Sequence, residues 1–135
     1  MLLQQRHKNL KKFPNLWDLS VASHIQSGGD AISTLLREVN EEIGVQIEYR
    51  VQAKDFRFLT SFRNQHIYKD LIENQYYDFF ILRKDIDFAD ITFNDQEVQD
   101  IQWVNYTKLK KLVKDNLMHP RLEWIEEILS YINKL

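Results

Sequence analysis

The sequence predicts an α/β domain, a mixed β-sheet covered by helices on both faces and built from residues 1–135 as one unit. Three observations lead there. Residues 31–43 carry a helical hydrophobic period between glycine-containing turns. The middle of the chain is rich in β-branched and aromatic residues in short runs. The helical period then returns from residue 106 to the end, so helices flank the strands on both sides in sequence.

Taken in order, "MLLQQR" (1–6) reads as a strand already under way. "HKNLKKFPNL" (7–16) is a basic loop in which Pro14 disfavours helix at Phe13. "WDLSVASHI" (17–25) alternates partly as a strand does, and "QSGGD" then breaks the chain. Asp30 is placed to cap a helix over Ala31–Ile43, with Gly44 as its C-terminal stop. Strands are expected over 45–52, 56–62, 74–83 and 98–104. Helices are expected over 106–116 and 120–135, the second opening on Pro120 and aligning Leu122, Ile125, Leu129 and Ile132 on one face.

Composition narrows the function. The net charge of −2 is spread along the chain, which gives no bulk affinity for nucleic acid or an anionic membrane surface. No apolar run approaches the ~20 residues of a membrane span. The basic residues of the N-terminus follow its apolar ones, the reverse of a secretory signal, so a cytoplasmic protein is expected. The absence of cysteine excludes disulfides, thiolate nucleophiles and cysteine-bound zinc.

The helix over 31–43 carries the chemistry. Glu38, Glu41 and Glu42 fall within an arc of about 100° at helical spacing, apart from the apolar stripe of Leu35, Leu36, Val39 and Ile43. Glu38 and Glu42 stand four apart, where like charges repel by about 0.2–0.5 kcal/mol. Carboxylates in a last turn also oppose the helix dipole. A solvated acidic face is the plain explanation. A hard divalent cation held between the carboxylates would relieve both penalties. The chain's three glycines, Gly28, Gly29 and Gly44, all flank this helix, as a loop–helix–loop that brings backbone close to a ligand would require.

"REVNEEIGV" (37–45) resembles the second half of the Nudix box, R-E-U-x-E-E-x-G-U with U aliphatic. The resemblance implies a Nudix-like α/β/α sandwich and a loop–helix–loop that holds Mg²⁺ or Mn²⁺ against a diphosphate. It makes Glu38, Glu41 and Glu42 the metal-facing carboxylates, Glu38 and Glu41 with Arg37 the catalytic group, and Gly28 and Gly44 the motif glycines. The box's opening glycine falls on Ser23 and its first glutamate on Gly29.

The resemblance covers most of the chain. "LLQQR…FP..W" running into "SH" is similar to the branch related to isopentenyl-diphosphate isomerase. This implies a metal or support role for His24 and diphosphate capture by Arg6 with Lys8, Lys11 and Lys12. A solvated basic loop and a hydrogen-bonded structural histidine are the alternatives. The isomerase's cysteine falls on Ala22, which argues against isomerase chemistry. Glu73 and Glu97 match further acidic positions of the family, while a second acid next to Glu73 is replaced by Gln75. Relatives carry a strand ahead of "LLQQR"; a sheet edge left open by its lack favours a homodimer. The function implied is a metal-dependent hydrolase of a nucleoside diphosphate-linked or other diphosphate compound, with a diphosphate-binding module as the alternative.

Overall fold

The computed structural model describes residues 1–44 and 50–134. In chain order the elements are β1 (Leu2–Arg6), β2 (Trp17–Leu19), α1 (Ala31–Glu38), β3 (Phe56–Tyr68), β4 (Leu71–Leu82), β5 (Val98–Trp103), α2 (Tyr106–Lys114) and α3 (Ile125–Ile132). A π-helical turn, Val39–Ile43, continues α1, and single 3₁₀ turns precede β3, β5 and α3.

β1 is the middle strand of a three-stranded sheet, antiparallel to β2 on one side and β5 on the other. β3 and β4 form a separate antiparallel hairpin. The parallel pairing among the described residues is the bridge between Trp17 and Met118.

Strand alternation sorts the core. Leu3 points into a cluster with Leu109, Leu112, Leu122, Ile125 and Ile128 of the C-terminal helices. Its neighbour Leu2 points the other way, against Val39 and Ile43 of the π turn and Val98 and Ile101 of β5. The central sheet is therefore covered by α2 and α3 on one face and by the acidic helix on the other. Gln4 and Arg6 share Leu2's face, so β1 presents both toward that helix.

Some elements depart from expectation. Only Trp17–Leu19 of the stretch 17–25 pairs as a strand. The helix over 31–43 changes from α to π after Glu38. The C-terminal helix begins as a 3₁₀ turn, Pro120–Leu122, before α3. The strand expected over 45–52 lies outside the described residues at 45–49, and Arg50–Gln52 carry none. A bulge in the β1–β5 ladder leaves Gln99 unpaired by backbone. Its side chain is used instead, accepting from the Lys8 amide at 2.9 Å and donating to Asn15 Oδ1 at 3.2 Å, which anchors the basic loop to the sheet.

Gly44 closes the helix at φ 113°, in backbone space that L side chains rarely adopt. A Cβ there would stand 2.9 Å from Thr92 O and 3.1 Å from Thr92 N. Both are backbone atoms, and the Thr92 amide is itself bonded to Ile43 O at 2.9 Å. Gly44→Ala is expected to destabilise the chain by about 1–3 kcal/mol. An unchanged denaturation midpoint in urea would contradict this close approach.

Candidate active site

Asp30 starts the acidic helix as the sequence implies, its Oδ1 accepting from the Ser33 amide at 2.9 Å. Beyond Glu38 the hydrogen-bond spacing lengthens, and the Gly44 amide reaches Val39 O at 3.0 Å. Such π turns within helices are frequent at functional sites.

The three glutamates do not share one environment. Glu38 and Glu42 are buried, whereas the Glu41 side chain is 53% exposed. The cause is packing: Val39 and Ile43 fill the core under the helix, and the residue before each is carried inward with it. Glu38 accepts from Ser23 Oγ at 2.6 Å and pairs with Arg37 Nη2 at 2.5 Å. Arg37 Nη1 also holds Glu41 at 2.8 Å, so one guanidinium orients two carboxylates. Glu42 Oε2 accepts from Gln4 Nε2 at 3.2 Å and from the Ala22 amide at 3.1 Å. Burial pushes the Glu42 carboxyl up to about 8, against the pull of the Ala22 amide and reinforced by the charges of Glu38, Asp18 and Glu97.

These groups line part of a cleft of about 1340 Å³ that runs from the acidic helix past β1 and β4 to α2 and α3. Arg6, Lys12, His24, Glu73 and Glu97 line it too. Glu73 is engaged by Lys12 in an ion pair that holds its carboxyl below the usual value. Gln75 lies two residues along β4 on the same side. Arg6 has two donors committed to the basic loop, Nε to Phe13 O and Nη2 to Lys12 O, both at 3.0 Å. Its Nη1 faces Asp18 at 3.8 Å. Lys8 and Lys11 are exposed and stand outside the cleft lining. Gly28 is exposed in the preceding loop at φ 82° and lies outside it as well.

The sequence reading missed Asp18, His119 and Arg121. Asp18 on β2 is fully buried beneath Arg6 and Arg121. Burial raises its carboxyl above the ordinary value despite both guanidiniums. An acid between Trp17 and Leu19 in a strand was the available signal. His119 and Arg121, around Pro120, had none.

A divalent ion suits the chemistry of this donor set. All the candidate donors on the helix are carboxylate oxygens, the kind that bind hard cations. Glu42 is buried with negative neighbours, and the Gln4 Oε1 beside it is buried without a hydrogen-bond partner. As the side chains stand, no three His, Asp or Glu groups among the described residues converge on one point that could hold an ion. Arg37, Ser23 and Gln4 hold the carboxylates instead.

A family model described as the NUDIX domain matches residues 1–127. The uncharacterized Nudix hydrolase lin0387 of Listeria innocua serovar 6a is 31% identical over 112 residues, 83% of this chain and 59% of its own length. An isopentenyl-diphosphate Delta-isomerase of Cereibacter sphaeroides is 26% identical over 116 residues, 86% of this chain and 62% of its own. The chain thus spans about three-fifths of the length of these relatives. The crystal structure of DR0079 from Deinococcus radiodurans shares the fold, with a TM-score of 0.63 over 87% of this chain and 65% of that one at 22% identity.

The Glu42 shift has a definite sign. Its folded value near 8 lies above the ordinary 4.5, so between those values the folded chain holds a proton that the unfolded chain releases. Stability therefore falls as pH rises through that window. In a chelator-treated sample, Glu42→Gln is expected to gain on the parent chain by a few kcal/mol between about pH 5 and pH 8. Parallel stability–pH curves for the two proteins would rule out a protonated, buried Glu42.

Proposed function

The chain belongs to the Nudix family, and from that premise we propose that it is a divalent-metal-dependent hydrolase of a diphosphate compound, a nucleoside diphosphate linked to another group being the first candidate. The observation that carries the reading is the pairing of two buried glutamates on one helix, Glu38 and Glu42, with basic side chains in the same cleft.

Glu38 and Glu42, with Glu97 approaching from the loop before β5, are the residues that would hold Mg²⁺ or Mn²⁺. Bound there, the ion would supply charge neutralisation for the phosphoryl oxygens and a lowered pKa for the attacking water. The chain's own side chains do the rest. Arg37 keeps Glu38 and Glu41 in register with each other. Glu41, open to solvent at the cleft rim, takes the proton of the attacking water. Lys12 and Arg6 bring positive charge to the same cleft, which favours a diphosphate there. Glu73 is held by Lys12 and contributes by placing that lysine; His24, exposed on the cleft lining with its charge felt at Glu73, would meet the ligand's outer groups.

A diphosphate-binding module without turnover is the second reading, favoured by the carboxylates' engagement with Arg37, Ser23 and Gln4 in place of convergence on one point among the described residues. Isomerase chemistry through a thiol has no residue to run on, since the chain lacks cysteine.

The deciding experiment is release of phosphate and nucleotide from a panel of diphosphate compounds with Mg²⁺ or Mn²⁺. Turnover is expected, and Glu41→Gln with Glu42→Gln is expected to lower kcat by at least about a hundredfold. Tight binding of panel compounds with no product from the parent chain would replace the hydrolase with the binding module.

A further inference from the structure

We propose that Arg121, a residue of the C-terminal segment outside the acidic helix and its loops, forms with Arg6 a two-guanidinium seat for a phosphate group of the substrate. This rests on the reading of the cleft as a diphosphate site and adds the residue that grips the phosphate farther from the glutamates.

The geometry is built around Asp18. Arg121 Nη2 lies 3.3 Å and Arg6 Nη1 3.8 Å from the same oxygen, Asp18 Oδ2. That oxygen is buried and accepts no hydrogen bond, so both guanidiniums lean on it by charge without directing an N–H at it. Asp18 thus draws two guanidiniums to one spot, and the charges of Glu42 and Glu97 also reach Arg6. The His119 Nδ1 accepts from the Arg121 amide at 3.1 Å and from Arg121 Nε at 3.2 Å, so the ring fixes the arginine as a neutral acceptor and adds no charge of its own. Burial first, then the nearby charges of Arg121 and Arg6, push the imidazole down to about 2.

With Nε on His119 and Nη2 toward Asp18, no hydrogen-bond partner is found for Arg121 Nη1 among the described residues. The side chain is 17% exposed, and the residue lines the cleft. Tyr77 presents its ring face 5.7 Å from the guanidinium carbon, which limits the planes the fork can take. A planar, pre-oriented fork at the wall of a cleft is suited to phosphate oxygens.

The seat also abuts the acidic end. Asp18 is the β2 partner of Gln4, and Gln4 donates to Glu42. Glu42, Gln4, Asp18 and Arg121 therefore form one row across the sheet, with paired residues about 5 Å apart.

The test is titration calorimetry of inorganic pyrophosphate into the full chain in chelator, which removes metal-dependent turnover from the question. The parent chain is expected to bind, Arg121→Gln to bind at least about tenfold more weakly, and Arg121→Lys, which keeps the charge and loses the fork, to fall between them. Because Arg121→Gln strands the buried Asp18 carboxylate, Asp18→Asn with Arg121→Gln serves as the second variant and is expected to show the same loss. Equal affinity in parent and folded variants, or no binding by the parent chain, overturns the seat. The hydrolase reading stands or falls separately on product release with metal, so Arg121-dependent pyrophosphate binding without turnover would retain the seat and discard the hydrolase.

Discussion

The burial of the Glu42 carboxyl group is the constraint around which this face of the molecule is arranged. A carboxyl oxygen removed from water needs donors, and two are brought to it from distant parts of the chain: the Gln4 amide on the central strand and the Ala22 backbone N–H. The second donor comes from the loop that follows β2, and Ser23 next to it is turned to Glu38. The loop over 20–24 is thus fixed by the helix's acids, and the helix's acids are fixed by the loop.

Charge is distributed across the cleft by a second buried carboxylate. Asp18 sits opposite Gln4 in the β1–β2 ladder and draws Arg6 and Arg121 to one place. Arg6 meanwhile ties down the basic loop through the Phe13 and Lys12 carbonyls. That loop closes through Phe13 and Asn15 at φ 49° and 61°, a left-handed conformation that Asn adopts readily and Phe rarely. The Phe13 ring packs edge-on against His119 with centroids 4.5 Å apart. The loop, the buried acid and the C-terminal segment consequently form one body, and a change in any of them is felt in the cleft.

Much of this was legible in local sequence because local chemistry specifies it. The Asp30 cap, the Gly44 stop and the apolar stripe through Val39 and Ile43 are all short-range patterns, and the structure contains each of them. The π turn was not legible, since α and π turns draw on the same residue types over so short a span. Nor was the division of the glutamates, which depends on how deeply Val39 and Ile43 sink into a core assembled from β1 and β5. The Lys12–Glu73 pair and the Arg6–Asp18–Arg121 cluster join residues far apart in sequence, and no periodicity reports such contacts.

The three departures from the family's motif are unequal once their surroundings are compared. Ser23 replaces a glycine with a hydroxyl that bonds Glu38, so the position holds a motif carboxylate in a way a glycine could not. Gly29 takes the place of a glutamate and closes a tight turn, its amide on Gln26 O at 2.9 Å and a Cβ there only 3.1 Å from the same oxygen. Gln75 removes an acid from the wall where Glu73 is already paired with Lys12. Together the last two subtract negative charge from the loop and from β4, while Glu38, Glu41 and Glu42 remain. A cation in this cleft would be held chiefly by the helix, with Glu97 a further carboxylate from another element whose charge, like that of Asp18, reaches Glu42. Asp18 is already matched by two arginines, so the balance of the site turns on the helix itself.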